Sequence, residues 1–264
     1  MLVIKIGGSL ADPDPLLRDI AAVTEPLVLV HGANRELNEL STRLGQPPRM
    51  VTSERGEVSR FTDVTTMDHF LMAYAGKQNK RIVERLRALG ANAVGLTAMD
   101  GGIAVGRRKP DLRVKEGDKL KVLHGDHSGS IERIEPGLPK LLLANGYLPV
   151  ITPPAISHEG VAINVDGDRL AMELAVALKA ERLLIFADTP GFMRDVSDER
   201  SVISMIHLDE VDSMADYGKG RARGKLLAAA QAVRRGIQAV GLLDGRGDHP
   251  LARALEGAGT WVRK

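Results

Sequence analysis

Several stretches of this chain carry side chains whose types and spacing suit chemistry on a negatively charged group. In VIKIGGS, Lys5 stands among Val3, Ile4 and Ile6 and is followed by Gly7, Gly8 and Ser9. A lysine in a strand buried on both faces carries a large desolvation cost unless an anion faces it. A glycine pair at the end of such a strand lets backbone N–H groups approach that anion, and the start of a following helix adds partial positive charge. Taken singly, the pair also suits an ordinary tight turn between strand and helix. A second run, LVLVHGAN, ends in His31 and Gly32, followed by Ala33, Asn34 and a helix expected from about Arg35. Two such ends side by side in a parallel sheet bring two sets of donors to its carboxyl edge, where ligands of α/β proteins bind. His31 alone, with no orienting acid in view, reads as a packed or hydrogen-bonded residue rather than a catalyst.

Three further motifs supply acids, amides and cations. In INVDGDRLAMELA, Asn164, Asp166 and Asp168 alternate on what reads as an extended segment leading into a helix. Alternate residues of a strand point the same way, so the two acids could hold Mg²⁺, orient lysines or cap the helix. In YGKGRARGKLLAAAQAV, four cations lie between Lys219 and Lys225 in a loop expected to enter a helix at Lys225. It lacks the first glycine and the final Ser or Thr of a Walker loop, so that motif is rejected; the cations suit either polyphosphate or solvent. In RFTDVTTMDHFLMAYAGKQNKRIV, Arg60 precedes a helix cap at Thr62 or Asp63. It could fork a substrate carboxylate or form a surface ion pair of small value. His124 and His127 flank Asp126, but without a further ligand cluster no metal site is expected. There is no GxSxG elbow of a serine hydrolase and no GxGxxG after a strand.

The elements that must position these residues read from apolar runs. Leu2 to Ile6, Pro26 to Val30, Ala93 to Leu96, Tyr147 to Thr152, Arg182 to Ala187 and Ala239 to Leu243 are short and not strictly alternating, as suits strands of a parallel sheet buried on both faces. Amphipathic stretches lie between them, among them Asp63 to Leu89, Asp168 to Ala180 and Gly224 to Gly236. The alternation predicts an α/β fold, a mostly parallel central sheet sandwiched by helices. From Gly101 to Ile134 the short, polar-punctuated segments read instead as a small antiparallel hairpin insertion at the sheet's edge. The expectation is a single domain over residues 1–264 with two lobes sharing one sheet, 1–155 and 156–264, divided near Pro153 and Pro154.

Composition removes other classes. The 264 residues hold 36 Lys and Arg against 34 Asp and Glu, too balanced for a protein that binds nucleic acid over its whole surface. The absence of cysteine excludes disulfides, thiolate metal sites and cysteine nucleophiles. No stretch reaches the ~18 apolar residues of a membrane span, and LVIKIGG at the start does not resemble a secretory leader. A cytoplasmic protein with no membrane or nucleic-acid partner is the expectation.

The ordered set VIKIGGS, VLVHG, RFTD…GKQNK, INVDGD, FADTPGF, GRARGK and DGR resembles the amino acid kinase family over nearly the whole chain, in the branch containing acetylglutamate kinase. Within it, TTMDHFLMAYAGKQNKRIVERLRALGANAVGLTAMDG, VGRRK, HGD and YLPVITPPA are most similar to the kinases of carrier-protein lysine biosynthesis. The resemblance implies ATP as phosphoryl donor, with Mg²⁺ held mainly by ATP phosphates. It implies as acceptor the side-chain carboxylate of 2-aminoadipate or glutamate joined through its amino group to a small acidic carrier protein, and a homodimer. Acetylglutamate kinase is the alternative, and a nucleotide-sensing module without catalysis a more distant one. The family pattern implies that Lys5 and Lys225 contact the transferring phosphoryl group with Asp168 orienting both, and that Gly7, Gly8 and Gly32 supply backbone donors. Asp188 and Gly191 match the nucleotide-side loop; Arg60, Asn164 and Ala33 match substrate-holding positions. Ala33 and Asn34 depart from the family's usual glycines, and Asp166 from a common asparagine.

The inventory fits such a reaction physically. A carboxylate acceptor is ionised at neutral pH, its reference pKa being about 4, so no general base is required. The obstacle is repulsion between two anions, which cations and pre-aimed donors relieve. Finally, Arg107 to Lys121 holds seven basic residues against three acids, a hairpin that suits either solvent or an acidic carrier.

Overall fold

The structure, a computed structural model, describes residues 1–54, 56, 58–117, 119–218 and 220–264, and of Arg221 only the backbone. Lys219, one of the cations read as a phosphate binder, lies outside the described residues. In chain order the strands are β1 (Leu2–Ile6), β2 (Leu27–His31), β3 (Met50–Ser53), β4 (Val58–Arg60), β5 (Ala93–Thr97), β6 (Ala104–Arg108), β7 (Asp111–Glu116), β8 (Lys119–His124), β9 (Gly129–Ile134), β10 (Leu148–Thr152), β11 (Ala155–Ser157), β12 (Ala162–Ile163), β13 (Arg182–Ala187), β14 (Met205–His207), β15 (Ala239–Asp244) and β16 (Thr260–Arg263). The helices are α1 (Asp14–Ala21), α2 (Asn34–Arg43), α3 (Val64–Phe70), α4 (Asn79–Ala88), α5 (Gly137–Ala144), α6 (Gly167–Leu178), α7 (Val211–Ala215), α8 (Arg221–Arg234) and α9 (Pro250–Leu255).

One eight-stranded sheet runs in the order β14-β16-β15-β13-β1-β2-β10-β5. Every pairing in it is parallel except β15 with β16. β1 and β2 are buried at every position, which is why their sequences are continuous apolar runs rather than alternating ones. Side chains still alternate between the two faces. Leu2, Ile4 and Ile6 pack with Leu16 and Leu17 of α1, Ile82 and Leu86 of α4 and Leu251 of α9. Val3 packs on the other face with Leu170 and Leu174 of α6 and Leu226 and Ala229 of α8. By parity Lys5 shares the face of Val3, toward α6 and α8.

Two expectations about the elements are corrected. The helical stretch expected from Asp63 to Leu89 runs without interruption from α3 to α4, but its middle, Leu71–Gln78, is wound as π-helical turns. The wider turns carry Asn79 into the sheet, where its Nδ2 donates to Val150 O at 3.0 Å. Gly95 makes room for it, since a Cβ there would stand 2.0 Å from Asn79 Oδ1. The hairpins are antiparallel as expected but do not extend the edge of the main sheet, whose edge strands are β14 and β5. They build two separate four-stranded sheets, β12-β11-β6-β9 and β4-β3-β7-β8, because β6 and β7 find partners in β11 and β3 as well as in their own hairpin strands. Backbone bonds from His127 N to Thr62 O and from Gly129 N to Asn164 O tie these sheets to the segments that carry the candidate site.

Candidate active site

Lys5 comes from the penultimate position of β1 and Lys225 from the second turn of α8. The first turn of α6 sets Asp168 between them. The Lys5 Nζ lies 2.7 Å from Asp168 Oδ1 and the Lys225 Nζ lies 2.5 Å from Asp168 Oδ2. All three are largely sequestered, with side chains 8%, 16% and 22% exposed for Lys5, Asp168 and Lys225. Lys5 reaches the carboxylate past Gly167, where a Cβ would stand 3.7 Å from Lys5 Cε. Burial alone would raise the Asp168 pKa, but the attraction of both ammonium groups and their hydrogen bonds outweighs it, and the carboxyl is held well below the usual range. Burial and the repulsion of Lys5 lower the pKa of Lys225 from the ordinary lysine value, against the pull of Asp168 and Asp166.

The reading of Asn164, Asp166 and Asp168 as alternating residues of one extended segment is overturned. Asp166 is the N-cap of α6, its carboxylate accepting from Arg169 N at 2.8 Å, and Asp168 is already helical. Capping the helix and orienting the lysines are therefore separate tasks of separate acids. Likewise α8 begins at Arg221, so Lys225 lies inside the helix rather than at the end of a loop.

Asn164 is joined to the Arg60 segment. Its Nδ2 donates to Thr62 Oγ1 at 3.0 Å, and Thr62 N donates to Asp126 Oδ1 at 2.8 Å. Asp126, fully buried, also accepts from Ser128 N. Asp63 caps α3 through Thr66 N, and Arg60 donates to Asn38 Oδ1 at 2.5 Å. The His124 and His127 pair does not form a centre: His124 meets Asp111, and His127 Nδ1 faces Ala162 O. Among the described residues no group of three or more His, Asp or Glu could hold a metal ion.

The two glycine-marked strand ends converge. A Cβ on Gly8 would lie 2.6 Å from Ala33 N and 2.7 Å from Asn34 N, so only glycine lets the loops touch. The expectation that Gly7 and Gly32 supply free donors is corrected, because Gly7 N already bonds Phe186 O at 2.8 Å and Gly32 N bonds Ile6 O at 3.1 Å. Among the described residues the N–H groups of Gly8, Ala33 and Asn34 carry no such bond, and the last two stand at the start of α2. A cleft of about 230 Å³ beneath these loops is lined by Gly8, Ala33, Leu10, Leu17 and Ile82. It lies on the α1 and α4 side of the sheet, away from the lysines.

Asp188 and Gly191 follow β13. Asp188 is exposed, and Gly191 packs so closely on β16 that a Cβ would meet Thr260 Oγ1 at 2.7 Å. Among the described residues no hydrogen bond or ion pair joins either to the lysine pair.

Two positions escaped the sequence reading. One is the Asp126–Thr62 link. The other is Asn79, whose signal was available: Asn79, Ile82 and Leu86 form one buried helical stripe with an amide on it. One Asn79 N–H goes to Val150 O and another to His31 Nε2 at 3.1 Å. A ring nitrogen that accepts leaves the proton on Nδ1, which then donates to Gly32 O at 3.2 Å. His31 is fully buried. Burial, with help from Lys5 and Lys80, lowers its pKa to about 4 against the Gly32 bond. The imidazole is neutral at pH 7 and pins the Gly32 carbonyl. Because C=O and N–H of a trans peptide point oppositely, it thereby fixes where Ala33 N–H aims.

The arrangement offers two cations bridged by one acid and, among the described residues, a set of N–H groups without backbone partners at the sheet's carboxyl edge. Comparisons with known proteins give the family. Residues 1–240 match the model of the amino acid kinase family. A LysW-aminoadipate kinase of Deinococcus radiodurans is 49% identical over 99% of this chain and 91% of its own length. One of Thermus thermophilus is 42% identical over the full length of both. Among solved structures, N-acetylglutamate synthase of Neisseria gonorrhoeae with coenzyme A and L-arginine superposes with a TM-score of 0.77 at 23% identity, over all of this chain and 61% of that one, a likeness of fold. Matched by the family model over most of its length and by close relatives end to end, with the ordered glycine loops, acid and lysines all brought to one sheet edge, the chain belongs to the amino acid kinase family.

Proposed function

We propose that the chain is an ATP-dependent kinase that phosphorylates the side-chain carboxylate of 2-aminoadipate, or of glutamate, joined through its amino group to a carrier protein, giving an acyl phosphate and ADP. The single observation that carries the reaction type is the Lys5–Asp168–Lys225 bridge, and the relatives' names support the substrate. Each ammonium has three N–H groups. With one directed at Asp168, two remain for phosphoryl oxygens. Asp168 sets the distance between the cations, so negative charge spreading over the migrating group meets fixed positive charge with little reorganisation. The acceptor carboxylate attacks as an anion and needs no base. Gly8, Ala33 and Asn34 supply donors for the phosphates, and Arg60 and Asn164 hold the acceptor's main-chain end.

In this reading residues 1–155 form the acceptor lobe and 156–264 the nucleotide lobe, with Asp188 and Gly191 on the nucleotide side. Any magnesium ion arrives, in this reading, on the phosphates of ATP as part of the substrate. A homodimer is the assembly proposed. The test is ADP release with carrier-linked 2-aminoadipate, carrier-linked glutamate and free N-acetylglutamate. Turnover of a carrier-linked substrate is expected, and Lys225→Ala is expected to lower kcat by ~10²-fold or more with a far smaller change in KM for ATP. Efficient turnover of N-acetylglutamate instead assigns the acetylglutamate kinase reaction. Unchanged turnover in Lys225→Ala refutes the role given to that lysine.

A further inference from the structure

Strand parity divides the basic hairpin into two unlike faces. Residues directly opposite in an antiparallel pair share a face, and the register aligns Leu120 with Lys115, Lys115 with Thr52 and Thr52 with Val58 in one row across all four strands of the sheet β4-β3-β7-β8. Arg113 with Val122, and Met50 with Arg60, lie on the same face. The opposite face holds Val114, only 5% exposed, together with Lys119 and Lys121.

The first face is open and apolar where a monomer's surface is ordinarily polar. Val58 is 66% exposed, Leu120 58%, Met50 49% and Val122 48%. Met50 and Val58 lie on β3 and β4 and Leu120 and Val122 on β8, on either side of β7, and exposed apolar groups beside charge mark interaction sites. Arg113 and Lys115 stand among them, both exposed and without an ion pair among the described residues. Lys121, on the other face, is occupied by Glu116. The same face runs along β4 to Arg60, which contacts Asn38 of α2 and sits two residues before the Thr62 that bonds Asn164. An apolar, cationic surface thus leads directly to the residues proposed to hold the acceptor.

Resting on the carrier-linked function proposed above, we propose that this face of the β4-β3-β7-β8 sheet is the docking surface for the carrier, an acidic protein whose carboxylates meet Arg113 and Lys115 while its substrate-bearing arm passes Arg60. The charge on the face selects an acidic partner, and its continuity with Arg60 selects the partner that bears the acceptor over any other. Exposed cations of this kind act mainly on encounter and salt dependence.

The experiment compares the double variants Arg113→Glu/Lys115→Glu and Lys119→Glu/Lys121→Glu, which reverse equal charge on opposite faces of one hairpin. The measurements are kcat/KM for the carrier-linked substrate at low and high salt, the thermal unfolding midpoint and the sedimentation mass. The expected result is a fall of ~10–10²-fold for the first variant, with a weakened salt dependence, and a change within about twofold for the second, both folded and unaltered in mass. Equal loss in both variants, or no loss in the first, overturns the docking face while leaving the kinase reading intact. A changed mass in the first variant overturns it in favour of a second copy of this chain. Absence of turnover on any carrier-linked substrate by the unaltered enzyme overturns the kinase reading and the docking face with it.

Discussion

Replacing Asp168 by Asn tests the centre of the site most directly, because it removes one charge and leaves the volume almost unchanged. The carboxylate contacts Lys5 at 2.7 Å and Lys225 at 2.5 Å. At an effective dielectric constant near 20 each contact is worth ~6 kcal/mol of Coulomb attraction. Desolvation of the three charges offsets most of that, and the measured cost of removing one member of a buried ion pair is ~3–5 kcal/mol. An asparagine retains one acceptor for one lysine and turns an amide N–H₂ toward the other. We therefore expect a loss near ~3 kcal/mol at neutral pH, read from urea unfolding. Lys225 already has a lowered pKa from burial and from Lys5, and without the carboxylate it falls further. The alkaline limb of the rate profile then moves to lower pH, since the working form is the protonated one. With that charge diminished and the two ammoniums no longer held at a fixed spacing, kcat should drop by ~10²–10³-fold, the scale seen when one preorganised donor is removed. On the acid side the difference shrinks. The depressed Asp168 pKa contributes stability that is present above the normal carboxylate range, about 4, and is lost as pH falls through its lower folded value, so the gap between variant and unaltered protein should narrow there. A variant within ~1 kcal/mol of the unaltered protein and within about tenfold in kcat would refute this account of the pair.

Two other predictions follow from the loops. Gly8→Ala should raise KM for ATP and destabilise the chain, because the new Cβ would stand 2.6 Å from Ala33 N. Gly137→Ala, with nothing within 4 Å of its Cβ, should be neutral, and equal stability losses would show that the close approach of the loops is unimportant. His31, whose pKa is lowered to about 4, stays neutral in the folded chain while the unfolded chain takes up a proton near pH 6.5. Stability should therefore decline as pH falls from about 6.5 to about 4, and this slope should flatten in His31→Gln measured by chemical unfolding. An unchanged slope would place the acid sensitivity elsewhere.

Much of the framework was written locally. The strands Leu2–Ile6 and Arg182–Ala187, and within one residue the strand read as Pro26 to Val30, were legible in the sequence because burial on both faces demands unbroken apolar runs. Lys5 stood out by violating that demand. The order of the glycine turns, acid and basic segment was enough for the family, since each motif answers to a local backbone requirement.

What needed the folded chain was everything decided by partners distant in sequence. The sequence could not say which of Asp166 and Asp168 would cap a helix and which would bridge lysines, because that depends on where α6 begins, and a helix starting two residues later would make Asp168 the cap. It could not show that the N–H groups of Gly7 and Gly32 are taken by Phe186 and Ile6, a consequence of strand order. The partners of Asn79, Val150 O on β10 and His31 Nε2 on β2, come from strands far from it in sequence, so the helical stripe marks Asn79 as buried without naming what it meets. The two faces of the basic hairpin likewise emerge from register: composition counts charges, whereas pairing determines the side on which each one stands.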